Sequence, residues 1–203
     1  MPSFERPDGR DSRAGTALFL KRWLRNPLSM GAVVPSGRLL AEAMARTTLG
    51  EMTGRDGHVI ELGAGTGEVT KALLAAGIPA DRLALVEREA ELASFLRRHF
   101  PGPRIAEGDA ARLPRLLDQH GIKSVAAVVS SLPLLSLPTE IVNGIVHSVF
   151  EVLPRGAALV QFTYGPSPPV PKSLREGLRL VGARGKRIWR NVPPAVVWTF
   201  RRP

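Results

Sequence analysis

The chain has 203 residues, 44% of them hydrophobic, no cysteine and a formal net charge of +10. That is enough apolar sequence for one substantial core and, with no long polar linker, one main domain. The missing cysteines exclude disulfides, a thiol nucleophile and a thiolate metal site, and four scattered histidines lack ligand spacing, so no metal is expected. The longest apolar stretch, Val125 to Leu137, is too short and interrupted to span a bilayer, and no cleavable leader is recognisable, so a cytoplasmic body is expected. Charge is unevenly spread: residues 1 to 50 carry net +4, residues 51 to 170 net −2, and residues 171 to 203 net +8. Basic ends around a near-neutral middle point to an anionic surface, either nucleic acid or membrane.

In chain order, Thr16 to Arg25 (TALFLKRWLR) reads as a short helix with Phe19, Leu20, Trp23 and Leu24 on one side and Lys21, Arg22 and Arg25 on the other or at its edge. Such a helix can lie in the plane of an anionic bilayer, or pack over a sheet as an ordinary surface helix. Asn26 and Pro27 stop it. Leu28 to Pro35 forms an apolar loop, with Gly31 expected to allow close approach to a cofactor cleft. A second helix follows, capped by Ser36, with Leu39, Leu40, Ala43 and Met44 inward. Residues 1–36 are therefore expected to form a membrane-binding helix and cleft-covering loop, and 37–203 the catalytic domain.

His58 to Thr70 (HVIELGAGTGEVT) is a buried strand running into a glycine-rich turn that opens a helix. The glycines, Gly63, Gly65 and Gly67, are spaced G-x-G-x-G rather than as in a dinucleotide fingerprint, and Glu61 precedes them by two residues. That carboxylate repels a pyrophosphate but attracts a ligand bearing an amino group and a sulfonium, so S-adenosylmethionine fits better. The expected companions follow. A second strand, Leu83 to Val86, ends in Glu87, placed to accept both ribose hydroxyls, and in EGDAARL the pair Gly108 and Asp109 sits where an adenine amine can be bound. Ala64, Arg88 and Ala110 flank these positions and belong to the same expected cofactor shell.

Val125 to Ser131 is an almost wholly apolar fourth strand, suited to a sheet covered on both faces. Ser130 is assigned to the cofactor shell and Ser131 to the catalytic side, although both can simply terminate the strand. A helix from about Pro138 to Leu153 and a fifth strand, ALVQFTY, lead to Tyr164, the only tyrosine. Tyr164 is the best substrate candidate, able to orient an amine through its hydroxyl or offer its ring to a cation. The proline-rich segment Gly165 to Pro171 is either a lid over the substrate or a rigid connector. A helix near Ser173 to Val181 and strands around Lys186 to Arg190 and Ala195 to Arg201 close the chain, the final hairpin antiparallel. The fold expected is α/β: a seven-stranded, mostly parallel sheet with an antiparallel last strand, which resembles the Rossmann-like methyltransferase fold. Arg187 and Arg190 are candidates to meet a lipid phosphate, or form a solvated basic edge.

The ordered motifs resemble those of Rossmann-like methyltransferases. Five segments, FLKRWLRNPLSMGAVVPS, ELGAGTG, VVSSLPLLSLP, VQFTYGPSPPVP and WRNVPPAVVWTFRR, resemble the bacterial phospholipid N-methyltransferases that convert phosphatidylethanolamine to phosphatidylcholine. The resemblance implies stepwise transfer of three methyl groups, an N-terminal helix bound to anionic lipid, and peripheral association with the inner membrane. The chain is also similar to the adenine dimethyltransferases of ribosomal RNA. There the fourth strand is followed by Asn, an aliphatic residue, Pro and a base-stacking aromatic; here Ser131, Leu132, Pro133 and Leu134 stand in their place. The amide and the aromatic that read a flipped base are missing, so no nucleic-acid partner is expected and RNA methylation is the enzyme alternative. A membrane-binding scaffold that retains cofactor binding without turnover is the non-enzymatic one. Nothing in the sequence sets an oligomeric state.

Overall fold

The computed structural model describes residues 35–164, 167–191 and 193–203. Phe19, Lys21, Arg22, Trp23, Arg25 and Gly31 lie outside the described residues, as does the expected N-terminal helix.

Seven strands form one sheet in the order β3-β2-β1-β4-β5-β7-β6. They are β1 His58–Leu62, β2 Leu83–Glu87, β3 Arg104–Glu107, β4 Val125–Ser130, β5 Ala158–Thr163, β6 Val181–Ile188 and β7 Ala195–Arg201. The first five run parallel. β7 pairs antiparallel with β5 and with β6. Every residue of β2, β4 and β5 is buried, as both-sided coverage requires.

Helix α1, Pro35–Met52, packs with α2, Glu68–Ala75, over one face, where Leu40, Met44, Val59, Leu73, Leu83, Val129 and Phe162 share a core cluster. It begins at Pro35, so Ser36 lies inside the helix rather than before it; proline's fixed φ suits a first turn. Arg201 of β7 donates to Glu51 at the far end of α1 over 2.6 Å. Helix α3, Ala90–His99, adds a smaller cluster through Ala93, Leu96 and Phe100. The larger core lies on the opposite face under α4, Leu113–Gln119, and α5, Thr139–Val152.

The last third differs from the expectation in its boundaries. Helix α6 spans only Lys172–Gly177, and β6 starts at Val181, well before Lys186, leaving Arg190 beyond the strand. Arg179, at φ 54°, takes the left-handed conformation that breaks the helical run. Pro169 and Val170 are buried, so this part of the proline-rich segment packs onto the core.

Because the chain steps from β1 outward to β3 and then returns to β4 beside β1, the loops after β1 and β4 diverge. The crevice opened at the carboxyl ends of these strands is where open α/β sheets bind ligands.

Candidate active site

The turn after β1 is tied sideways to its neighbours. Gly63 N–H donates to Val86 O over 2.8 Å and Gly67 N–H to Ala64 O over 2.8 Å, while Ser131 N–H after β4 donates to Leu62 O over 2.9 Å. All three glycines have positive φ, at 69°, 56° and 81°, which a side chain would strain. Their surroundings differ. A Cβ on Gly63 would lie 2.5 Å from Leu132 Cδ2 and one on Gly67 would lie 2.4 Å from the Phe100 ring, whereas one on Gly65 would meet nothing nearer than Gly63 O at 4.0 Å. Gly63 and Gly67 thus admit protein side chains, and Gly65 leaves open space. Gly67 is also the residue from which α2 departs.

Glu61 is completely buried. Thr70 of α2 donates to its Oε2 over 2.6 Å, and its Oε1 has no donor among the described residues. Burial pushes the carboxyl up to about 8; the Thr70 hydrogen bonds pull it down, and the nearby Glu87 charge pushes it further up. A buried acceptor without a partner is costly, so this oxygen calls for a donor from outside the chain.

Glu87 ends β2 almost fully buried. Its Oε2 accepts from Gly65 N–H at 2.9 Å and its Oε1 from Glu89 N–H at 3.0 Å, so each oxygen has spent one acceptor position on backbone. Each retains capacity for a second donor. Gly108 N–H donates to Glu87 O over 2.9 Å, and a Cβ at Gly108 would press on Leu116 at 2.6 Å. Asp109 is exposed and uses Oδ1 to cap the following 3-10 turn through Ala111 N–H at 2.9 Å. Ala64 and Ala110 are buried, while Arg88 is exposed with no contact of note.

On the β4 side, Ser130 is buried and its Oγ accepts from Leu132 N–H at 3.3 Å; Ser131 Oγ is buried without a partner among the described residues. Gln161, fully buried in β5 and paired in register with Ser130, donates to Leu132 O at 2.9 Å and to Phe162 O at 3.1 Å. Its Oε1 has no partner among the described residues, nor does Nε1 of Trp198, opposite it on β7. Tyr164 follows β5, is 42% exposed, and stands edge-on to Phe162 at 5.2 Å between centroids. Burial raises its phenol further above its ordinary value, keeping it neutral. Leu134, where an RNA enzyme carries its stacking aromatic, is buried in the larger core.

Glu61, the glycine turn, Glu87, Gly108, Asp109, Ser130, Ser131 and Tyr164 therefore all stand at the carboxyl ends of parallel strands. Arg187 and Arg190 stand apart on the exposed β6 side. Thr70, Phe100, Leu132 and Gln161 shape the site without having been foreseen. A lone amide in the apolar run ALVQFT was the one available signal among them, since partners distant in sequence are not legible from spacing.

No family model matches the chain. It is 32% identical over 153 residues to ornithine lipid N-methyltransferase of Singulisphaera acidiphila, covering 73% of this chain and 78% of that one. A probable ribosomal RNA small subunit methyltransferase A of Halobacterium salinarum is 37% identical over 105 residues, but these are 51% of this chain and 33% of that protein. Among solved structures, magnesium protoporphyrin IX methyltransferase from Synechocystis with bound S-adenosylmethionine has a TM-score of 0.63 at 12% identity, covering 99% of this chain and all of that one. A glycopeptide N-methyltransferase complexed with S-adenosylmethionine gives 0.62 at 16%, covering 80% of this chain and 94% of that one. Fold and site together define a Rossmann-like methyltransferase. Sequence identity narrows this: the chain belongs to the family of S-adenosylmethionine-dependent methyltransferases that includes ornithine lipid N-methyltransferase. The residues present fit that cofactor, on the evidence of the unpartnered Glu61 Oε1 and the open space at Gly65.

Proposed function

We propose that the protein methylates the amine of a membrane lipid, with phosphatidylethanolamine carried stepwise to phosphatidylcholine as the leading reading. The observation that carries a lipid acceptor is the identity over three quarters of the chain to an ornithine lipid N-methyltransferase. That same observation favours a second reading, an ornithine lipid as acceptor.

When bound, S-adenosylmethionine supplies a methyl carbon already activated by its sulfonium, so the acceptor nitrogen forms the new C–N bond as the C–S bond breaks. No protein nucleophile is needed; alignment and exclusion of water are the tasks left to the chain. Glu61 Oε1 takes the cofactor's ammonium, Gly65 lets its methionyl part lie against the backbone, Glu87 accepts from the ribose hydroxyls with its remaining lone pairs, and Asp109 meets the adenine amine. On the acceptor side Tyr164 orients the amine through its hydroxyl and later offers its ring to the cationic product. Ser131 Oγ, at the strand end between the two, is the second acceptor-side group. Each ammonium must lose a proton before transfer, and an amine at an open rim gives it to water.

The test is a time course with labelled S-adenosylmethionine and vesicles containing either phosphatidylethanolamine or ornithine lipid, with lipids separated by chromatography. Monomethyl and dimethyl phosphatidylethanolamine should appear before phosphatidylcholine. Label entering only ornithine lipid establishes the second reading; label in neither lipid overturns both.

A further inference from the structure

β6 is the outer strand of the sheet, and its first seven residues are exposed. Its composition is lopsided. Arg184, Lys186 and Arg187 lie within it and Arg190 just beyond, none of them in a salt bridge among the described residues, while the single acid after residue 170, Glu176, is paired with Lys172 at 3.6 Å. The pairing shifts register between Arg184 and Arg187, so that Arg184 faces Trp198 and Arg187 faces Val196, putting both arginines on one side of the sheet. Beyond them Trp189 is 70% exposed, with the Arg187 guanidinium 4.5 Å over its ring. Register carried across the sheet fixes where this cluster sits. Ile188 pairs with Ala195, Val196 with Thr163, Gln161 with Ser130 and Ser130 with Leu62. Lys186 to Arg190 is therefore at the same end of the sheet as Tyr164 and the glycine turn.

We propose that the end of β6 with the turn after it, Lys186, Arg187, Trp189 and Arg190, is a docking surface for an anionic bilayer that sets the mouth of the cleft against the lipid. Basic side chains on an edge strand also discourage strand-to-strand association. That role does not call for a tryptophan, which at this exposure leaves a large ring in water. A flat indole with cations around it matches the headgroup layer of an anionic membrane, where the ring finds its amphipathic depth and the cations find phosphates. Among the described residues of this patch Trp189 is the one ring, too few to stack successive bases, which favours lipid over RNA. The surface gives the lipid-amine reading its geometry and rests on that reading only for the purpose of the docking.

The test measures binding of the full-length protein, without cofactor, to vesicles of phosphatidylglycerol in phosphatidylcholine. These lipids carry no methyl-accepting amine, so the outcome is independent of which acceptor, if any, is methylated. Lys186→Ser with Arg187→Ser should weaken partitioning at least about tenfold. Trp189→Ala should weaken it by several-fold at low and high salt alike. The charge-matched control is Arg98→Ser with Lys123→Ser, both exposed at the opposite end of the sheet, and it should change binding about twofold or less. Unchanged melting temperatures check that all variants fold. Equal losses in the two double variants, or no loss in either β6 variant, would overturn the proposal. Failure of lipid methylation with this pattern of vesicle binding intact would instead overturn the acceptor assignment.

Discussion

Gly65 and Gly67 separate cofactor space from packing space. Gly67→Ala drives a methyl into the Phe100 ring at a left-handed position, so it should destabilise the fold by about 2 kcal/mol or more in urea unfolding. Gly65→Val meets open space but carries the backbone strain of φ 56°; beyond that strain it should cost cofactor affinity, at least tenfold by calorimetry, or about 1.4 kcal/mol. Glu61 carries a pH signature. Its carboxyl is raised from 4.5 to about 8, so between those values the folded protein holds a proton the unfolded chain has lost, and ligand-free stability should fall as pH rises through that window. Glu61→Gln should remove this slope, leaving the variant more stable than wild type at pH 8 to 9 by on the order of 1 kcal/mol or more, with the difference vanishing toward pH 5. The same variant should bind S-adenosylmethionine at least tenfold more weakly, about 1.4 kcal/mol, because the ammonium loses its counter-charge. A variant that keeps the wild-type pH slope would show that Glu61 is not the group responsible.

The loop after β4 is held by Gln161, which donates to the Leu132 carbonyl, while the Leu132 side chain fills the space beside Gly63. Gln161→Leu removes the bond holding the loop, so cofactor binding and acceptor KM should both worsen, and Gln161→Glu, which keeps the shape but replaces the donor with an acceptor facing the Leu132 carbonyl, should worsen them at least as much. The segment Thr16 to Arg25, outside the described residues and read as a helix from its sequence, is expected to behave differently. Phe19→Ala with Trp23→Ala should abolish vesicle binding and lipid methylation with cofactor affinity nearly intact; a parallel loss of cofactor affinity would make that helix part of the core. Sequence located β1, β2, β4, β5 and β7 to within a residue or so, because each is an apolar run bounded by glycine, proline or acidic residues. It misplaced the start of β6 because VGARGKRI has no apolar alternation: as an edge strand it buries almost nothing, and pairing with β7 alone makes it a strand.

The site was legible where chemistry is concentrated at strand ends, as with Glu61, Gly65 and Glu87, and illegible where it depends on residues brought from afar, as with Phe100 against Gly67 or Thr70 on Glu61. Among the described residues no helix is long and apolar enough to cross a membrane, and no cluster of acids and histidines could hold a metal. On the proposed reading, the carboxyl end of the sheet would face a bilayer-bound acceptor. The aminolipid acceptor proposed above is favoured over a flipped base, which the buried Leu134 cannot stack. The most direct measurement is a parallel incubation of the protein and labelled S-adenosylmethionine with vesicles containing phosphatidylethanolamine and ornithine lipid, and with unmodified small-subunit ribosomal RNA. Label in the lipid fraction, and none in the RNA, is the predicted result; label in RNA alone would contradict a lipid acceptor and establish the protein as an RNA methyltransferase.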